Sequence, residues 1–252
     1  MTVVAVAGER GTMREELSAA ADPVLARIRE HPFWDGLRNG TLPPVSLRYF
    51  AEHDVRHVVP AYARAMARCA ALADHDAHGA LLCSAASATF GSLPRLDSEL
   101  AGLAETIGGT PGGGETGGGT PGVAGTGGTG TGGGPPGPAV HAYVSFMSAA
   151  SCDSFVSGLG GLLPMTWFHL EVSGDLRRRH DPGSRYSGWI EQYCPWDGYP
   201  DYVEAYLNVV DEVGGRCSAD ERNRLVRHFL LAARHEWAFA EAAWQCQEWM
   251  VW

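Results

Sequence analysis

Asp54 and Glu236 stand where the surrounding pattern asks for apolar side chains. At helical period, Phe50, Asp54, Val58, Ala61 and Ala65 form one stripe of the stretch 47–73. Near the other end of the chain, Leu225, Phe229, Ala232, Glu236, Phe239 and Ala243 form a second. A carboxylate buried on such a stripe must be paired, protonated or in contact with a ligand. Desolvation raises its pKa, which suits proton transfer near neutral pH. His57 follows Asp54 by three residues and is expected on the same face, with His53 one residue before it. Two acids flanked by aromatics on separate helices predict a pocket inside a bundle that takes a small, flat, nitrogen-containing ring. The alternative is that both acids satisfy buried arginines or backbone groups.

The elements that must position them are helices. Thr12 with Glu15, and Ser218 with Glu221, are in capping-box register at the start of the first and last helices. Pro23 is expected to end the first helix or begin a second piece. Turns are expected at Asp35-Gly36, Asn39-Gly40 and Pro43-Pro44, and Ser46 is expected to cap the helix that carries Asp54. Pro60 predicts a kink or break within that helix. Further helices are read at 75–92, 93–107, 140–156, 159–178, 186–193 and 201–213, before the last at 218–249. In the second of the later group, Leu162, Met165, Phe168, His169 and Val172 share a stripe. No stretch alternates with the period of a strand, so the fold class is all-α.

One segment departs from this pattern. Residues 108–138 are about half glycine, with Thr and Pro making up most of the rest. The segment has too little apolar surface to offset ordering entropy, so it is expected as a disordered insertion within a single domain spanning 1–252. It lacks the GxxxxGK[ST] pattern of a phosphate loop.

The chain has 252 residues, is 45% hydrophobic and carries a formal net charge of -10. That charge and the lack of a basic footprint exclude nucleic acid as the main partner. No apolar run approaches the length of a membrane span, and the first residues do not read as a signal peptide. The six cysteines include no CxxC pair and form no disulfide framework, so a reduced, cytoplasmic protein is expected.

The run HPFWDGLRNGTLP, followed by Tyr49 and then His53-Asp54, resembles the opening signature of the TenA or thiaminase II family. The similarity continues through Leu162-Leu163-Pro164, Trp167, Glu171, Trp189-Ile190, Tyr193, Glu236 and Phe239. It covers nearly the whole chain apart from the glycine-rich insert and the last few residues. The resemblance implies a heme-oxygenase-like multi-helix bundle, assembled as a homotetramer or homodimer. It also implies hydrolysis of thiamin, or of aminopyrimidine fragments of it, at the carbon attached to the pyrimidine ring. Asp54 would then meet the exocyclic amine, and Glu236 would exchange protons with the ring and help activate water. Tyr143, Tyr193 and Phe239 match aromatic pocket positions.

The departures are chemical. Met165 occupies the position after Leu-Leu-Pro where the thiaminase branch carries its cysteine nucleophile, and a thioether cannot form a thiolate. His57 and His169 replace residues that are usually tyrosine. A divergent enzyme is therefore expected, using carboxylate acid–base chemistry without a cysteine nucleophile or a cofactor. Met165, His57 and His169 would join Tyr143, Tyr193 and Phe239 around the substrate. Two alternatives stand beside it. Asp54, His57, His169 and Glu236 together could hold iron in a metal-dependent oxygenase of the same fold. A non-catalytic homologue that kept only the ligand pocket is the other.

Overall fold

The computed structural model describes residues 11–108 and 134–250. These contain ten α-helices, one π-helical turn and no strand. No helix among them is long and apolar enough to cross a membrane.

Helix α1 (Met13–Arg29) opens on the expected Thr12–Glu15 capping box. It does not stop at Pro23, which lies inside it. Pro23 and Ala19, whose carbonyl loses its partner to the proline, both face solvent, so water can replace the missing bond. Helix α2 (Pro32–Asn39) absorbs the expected Asp35-Gly36 turn, with Gly36 packed close to the Leu42 backbone. The Asn39-Gly40 signal is realised as a helix stop, since Gly40 takes the left-handed conformation at φ 79°. Helix α3 (Pro44–His53) has Pro43 at its N-cap and no side-chain cap. Ser46 is instead buried inside the helix, its hydroxyl directed at the Trp244 carbonyl at 3.4 Å.

The expected break at Pro60 takes the form of a π-helical turn, Asp54–Val58, between α3 and α4 (Val59–Ala70). Pro60 has no N–H to give to the preceding turn and its ring crowds that turn's carbonyl. The helix widens there, and the Val59 N–H reaches back to the Asp54 carbonyl. Helix α5 (Asp76–Gly108) joins the two helices expected at 75–92 and 93–107 into one. Pro94 sits within it on the exposed side, where its loss of a hydrogen bond costs little. Of the expected insertion 108–138, residues 109–133 lie outside the described residues.

Helices α6 (Pro138–Asp153), α7 (Phe155–Arg179), α8 (Ser187–Tyr193), α9 (Tyr199–Arg216) and α10 (Ala219–Gln245) complete the bundle. The Ser218–Glu221 capping box starts α10 as expected. Helices α7 and α10 pair extensively, and α6 lies against both. Phe33, Tyr143, Phe168, Tyr206 and Phe229 are fully buried at the centre.

The α7–α10 pair depends on Gly160. A Cβ there would fall on the Leu225 carbonyl of α10, a backbone group that cannot swing aside. Gly160→Ala is expected to lower stability by about 1–3 kcal/mol in urea unfolding. Gly188→Ala, where a Cβ meets nothing within 4 Å, is expected to leave the midpoint nearly unchanged.

Candidate active site

The apolar stripe of α10 buries Leu225, Phe229, Ala232, Phe239 and Ala243, and Glu236 points inward among them. Tyr143 of α6, itself fully buried, donates its hydroxyl to Glu236 Oε1. The Tyr143 ring lies parallel to the His235 imidazole at 5.4 Å, which fixes its direction. Asp54 opens the π turn between α3 and α4. Both acids line one cavity of about 770 Å³.

Aromatic rings form the walls around them. Phe50 of α3 stacks on Phe239 of α10 at 4.7 Å and 21°. Trp189 and Tyr193, one turn apart on α8, stack at 4.8 Å and 14°. Trp34 of α2 leans on Tyr193 at 5.7 Å. Such flat, roughly parallel surfaces suit a planar ring, and the acids supply hydrogen bonds at its edge.

Burial sets the electrostatics. It alone pushes the Asp54 carboxyl up to about 7. Burial likewise raises Glu236 to about 7; the Tyr143 hydroxyl pulls it down and the Asp54 charge pushes it up again. Near neutral pH each acid is thus divided between its two protonation states, the condition in which a group can both give and take a proton. The Tyr143 and Tyr193 phenols are held well above the ordinary range, first by burial and then by these carboxylates, so both remain donors. Burial pushes His169 down to about 4, leaving its ring neutral. That ring stands edge-on to Tyr193 at 4.7 Å and to Tyr199 at 5.4 Å.

Six of the residues singled out from the sequence line the cavity together: Asp54, Met165, His169, Tyr193, Glu236 and Phe239. Tyr143 joins them from behind, through Glu236. His57 does not. The wider π turn carries it past the face that Asp54 occupies, and its ring packs 5.6 Å from His53 beside the Gly134 backbone. The alternative iron ligand set of Asp54, His57, His169 and Glu236 is therefore not assembled. Among the described residues, no three His, Cys, Asp or Glu side chains are grouped to hold a metal ion.

Other wall residues differ in how far the sequence marks them. Trp34 and Thr166 carry no signal in isolation, whereas Phe50 shares the Asp54 stripe and Trp189 precedes Tyr193 by one helical turn. Cys194 also borders the cavity, but its thiol faces the Ser173 carbonyl at 3.5 Å and burial raises its pKa. Cys152 is exposed on α6.

Comparison with known proteins agrees with this fold. No family model matches the chain. It superposes on a TenA homologue of P. horikoshii with a TM-score of 0.71, 22% identity, and coverage of 93% of this chain and 99% of the other. For a TenA homologue of Pyrococcus furiosus the values are 0.73, 16%, 92% and 99%. The class defined by fold and cavity is a TenA-like all-α bundle. In sequence, the chain is 25% identical over 221 residues to the aminopyrimidine aminohydrolase of Bacillus subtilis, covering 87% of this chain and 84% of that protein. It is 26% identical over 241 residues to the thiamine biosynthesis multifunctional protein ThiED of Corynebacterium efficiens. That match covers 92% of this chain but only 28% of the longer protein. The resemblance to TenA proteins thus holds in both sequence and fold, at low identity.

The raised acids make stability depend on pH. Each folded-state value exceeds the unfolded one, so the stability gained from holding these protons is complete below about pH 4 and lost as pH rises through about 7. Glu236→Gln keeps an acceptor for Tyr143 and removes the Glu236 share of this dependence, leaving that of Asp54. The variant is expected to match the parent near pH 4–5 and to exceed it by on the order of 2–3 kcal/mol at pH 8, measured by urea unfolding across that range.

Proposed function

We propose that the protein hydrolyses a small aminopyrimidine related to thiamin, by carboxylate acid–base chemistry and without a cysteine nucleophile. The observation that carries this reading is the meeting of Asp54 with the Tyr143–Glu236 pair across an aromatic-walled cavity. The similarity to the aminopyrimidine aminohydrolase of Bacillus subtilis supports the substrate class.

In this reading the ring lies between the aromatic walls and Asp54 accepts a hydrogen bond from the exocyclic amine. For an aminomethyl substrate, water adds to the methylene carbon attached to the ring and the bond from that carbon to nitrogen breaks. The products are the hydroxymethyl pyrimidine and ammonia, so one water is consumed for each amine released. Glu236 takes a proton from the attacking water as its carboxylate and returns one towards the ring or the departing amine as its acid. A value near 7 allows both halves of that cycle. Tyr143, always a donor, holds the Glu236 carboxyl in one orientation.

No thiolate is needed. Met165 lines the cavity where a thiol would stand in the thiaminase branch, and the Cys194 thiol is held protonated.

Glu236→Gln is expected to lower kcat for aminomethyl-pyrimidine hydrolysis by about 10²–10⁴. Cys194→Ser is expected to retain activity within about twofold, since a side chain outside the chemistry contributes little to the barrier. Chromatography of the hydroxymethyl product measures both. Loss of turnover in Cys194→Ser would show that sulfur is required after all. Calorimetric binding of thiamin and aminopyrimidines with no turnover of any would favour a non-catalytic ligand-binding protein.

A further inference from the structure

The cavity is far larger than a single pyrimidine ring needs. At about 770 Å³ it lies in the range of sites that enclose drug-sized ligands. It runs on from the acids into a cleft beneath α5, where Val55 and Val59 of the π turn and α4 face Ala85, Ala88, Leu96 and Leu100. Part of this surface is a small apolar cluster, Ala51, Val55 and Leu100, separate from the main core.

Apart from the exposed Ser84, the polar side chains that α5 turns to this cleft are occupied within the helix itself. The Thr89 hydroxyl donates to the Ala85 carbonyl at 2.8 Å, and the Ser92 hydroxyl to the Thr89 carbonyl at 2.8 Å. Arg95 pairs with Glu99 one turn on. The cleft therefore offers mainly methyl and methylene surface and, among the described residues, no unpaired charge with which to select an anion or a cation. Trp196, in the connection between α8 and α9, also lines the cavity, although 63% of its surface is exposed. It stands edge-on to Tyr199 at 5.1 Å, with the rest of the indole free to cover a ligand.

We infer that the substrate has two parts: a heteroaromatic head held by the acids, and an uncharged apolar or aryl extension lying under α5 and against Trp196. This inference rests on the proposed role of Asp54 and Glu236 as the head site. It names the substrate class as aminopyrimidines substituted on the side-chain nitrogen by an apolar group. Hydrolysis of such a compound would follow the balance given above, with the substituted amine leaving in place of ammonia.

The test is calorimetric binding of 4-amino-5-aminomethyl-2-methylpyrimidine and of its N-benzyl derivative to the full chain. The benzyl compound is expected to bind about tenfold tighter or more, from the apolar surface it buries. Ala88→Phe, at an exposed position of α5 that fills the cleft, is expected to remove that advantage and leave the affinity of the bare compound as the internal control. Trp196→Ala, at a solvent-exposed side chain, is expected to reduce the same advantage. Equal affinities for the two compounds, or equal weakening of both by Ala88→Phe, overturn the inference and leave the head site standing. Tight binding of the benzyl compound without hydrolysis counts against the hydrolytic reading alone. Failure of both compounds to bind overturns both.

Discussion

Two carboxyl groups deprived of water are the constraint around which this bundle is arranged. An ionised acid in such a place is costly, and Glu236 feels the Asp54 charge as well. The fold meets that cost in three ways. Protons stay on the acids up to about neutral pH, the Tyr143 hydroxyl bonds Glu236, and part of each side chain stays open to a cavity where a ligand can complete its hydrogen bonding.

The same surroundings set the state of the sulfur groups at the cavity. Met165 presents a thioether to the cavity, and the neighbouring thiol of Cys194 is turned to the Ser173 carbonyl. His169 adds a neutral ring at this end, one helical turn beyond Met165, with its edges set against tyrosine faces. The side chains left with adjustable protons near neutral pH on this wall are therefore oxygen acids.

Much of this was legible in the sequence because burial leaves a periodic trace. Asp54 and Glu236 each interrupt an apolar stripe, and an acid in that position is visible without any coordinates. The two capping boxes were equally plain, since they depend on residues three apart. What failed was the reading of Pro23 and of angular position. Pro23 lies on an exposed face, where a lost hydrogen bond is made good by solvent, and sequence does not tell an exposed proline from a buried one. His57 was placed beside Asp54 by counting at regular helical pitch, but the turn between them is wider than that pitch. Tyr143 followed from family resemblance; its bond to Glu236 joins residues 93 apart and has no local signature.

The π turn is trapped between two anchored stretches. Before it, Phe50 is wedged among Phe33, Trp34 and Phe239; after it, Tyr62, Met66 and Cys69 are buried in the core. Neither flank can rotate to let the turn tighten without withdrawing those side chains. The location of Asp54 is therefore governed by how many residues lie between the two anchors more than by which residues they are. Deleting one residue between Phe50 and Tyr62 would pull it out of the cavity or force the whole of α4 to turn.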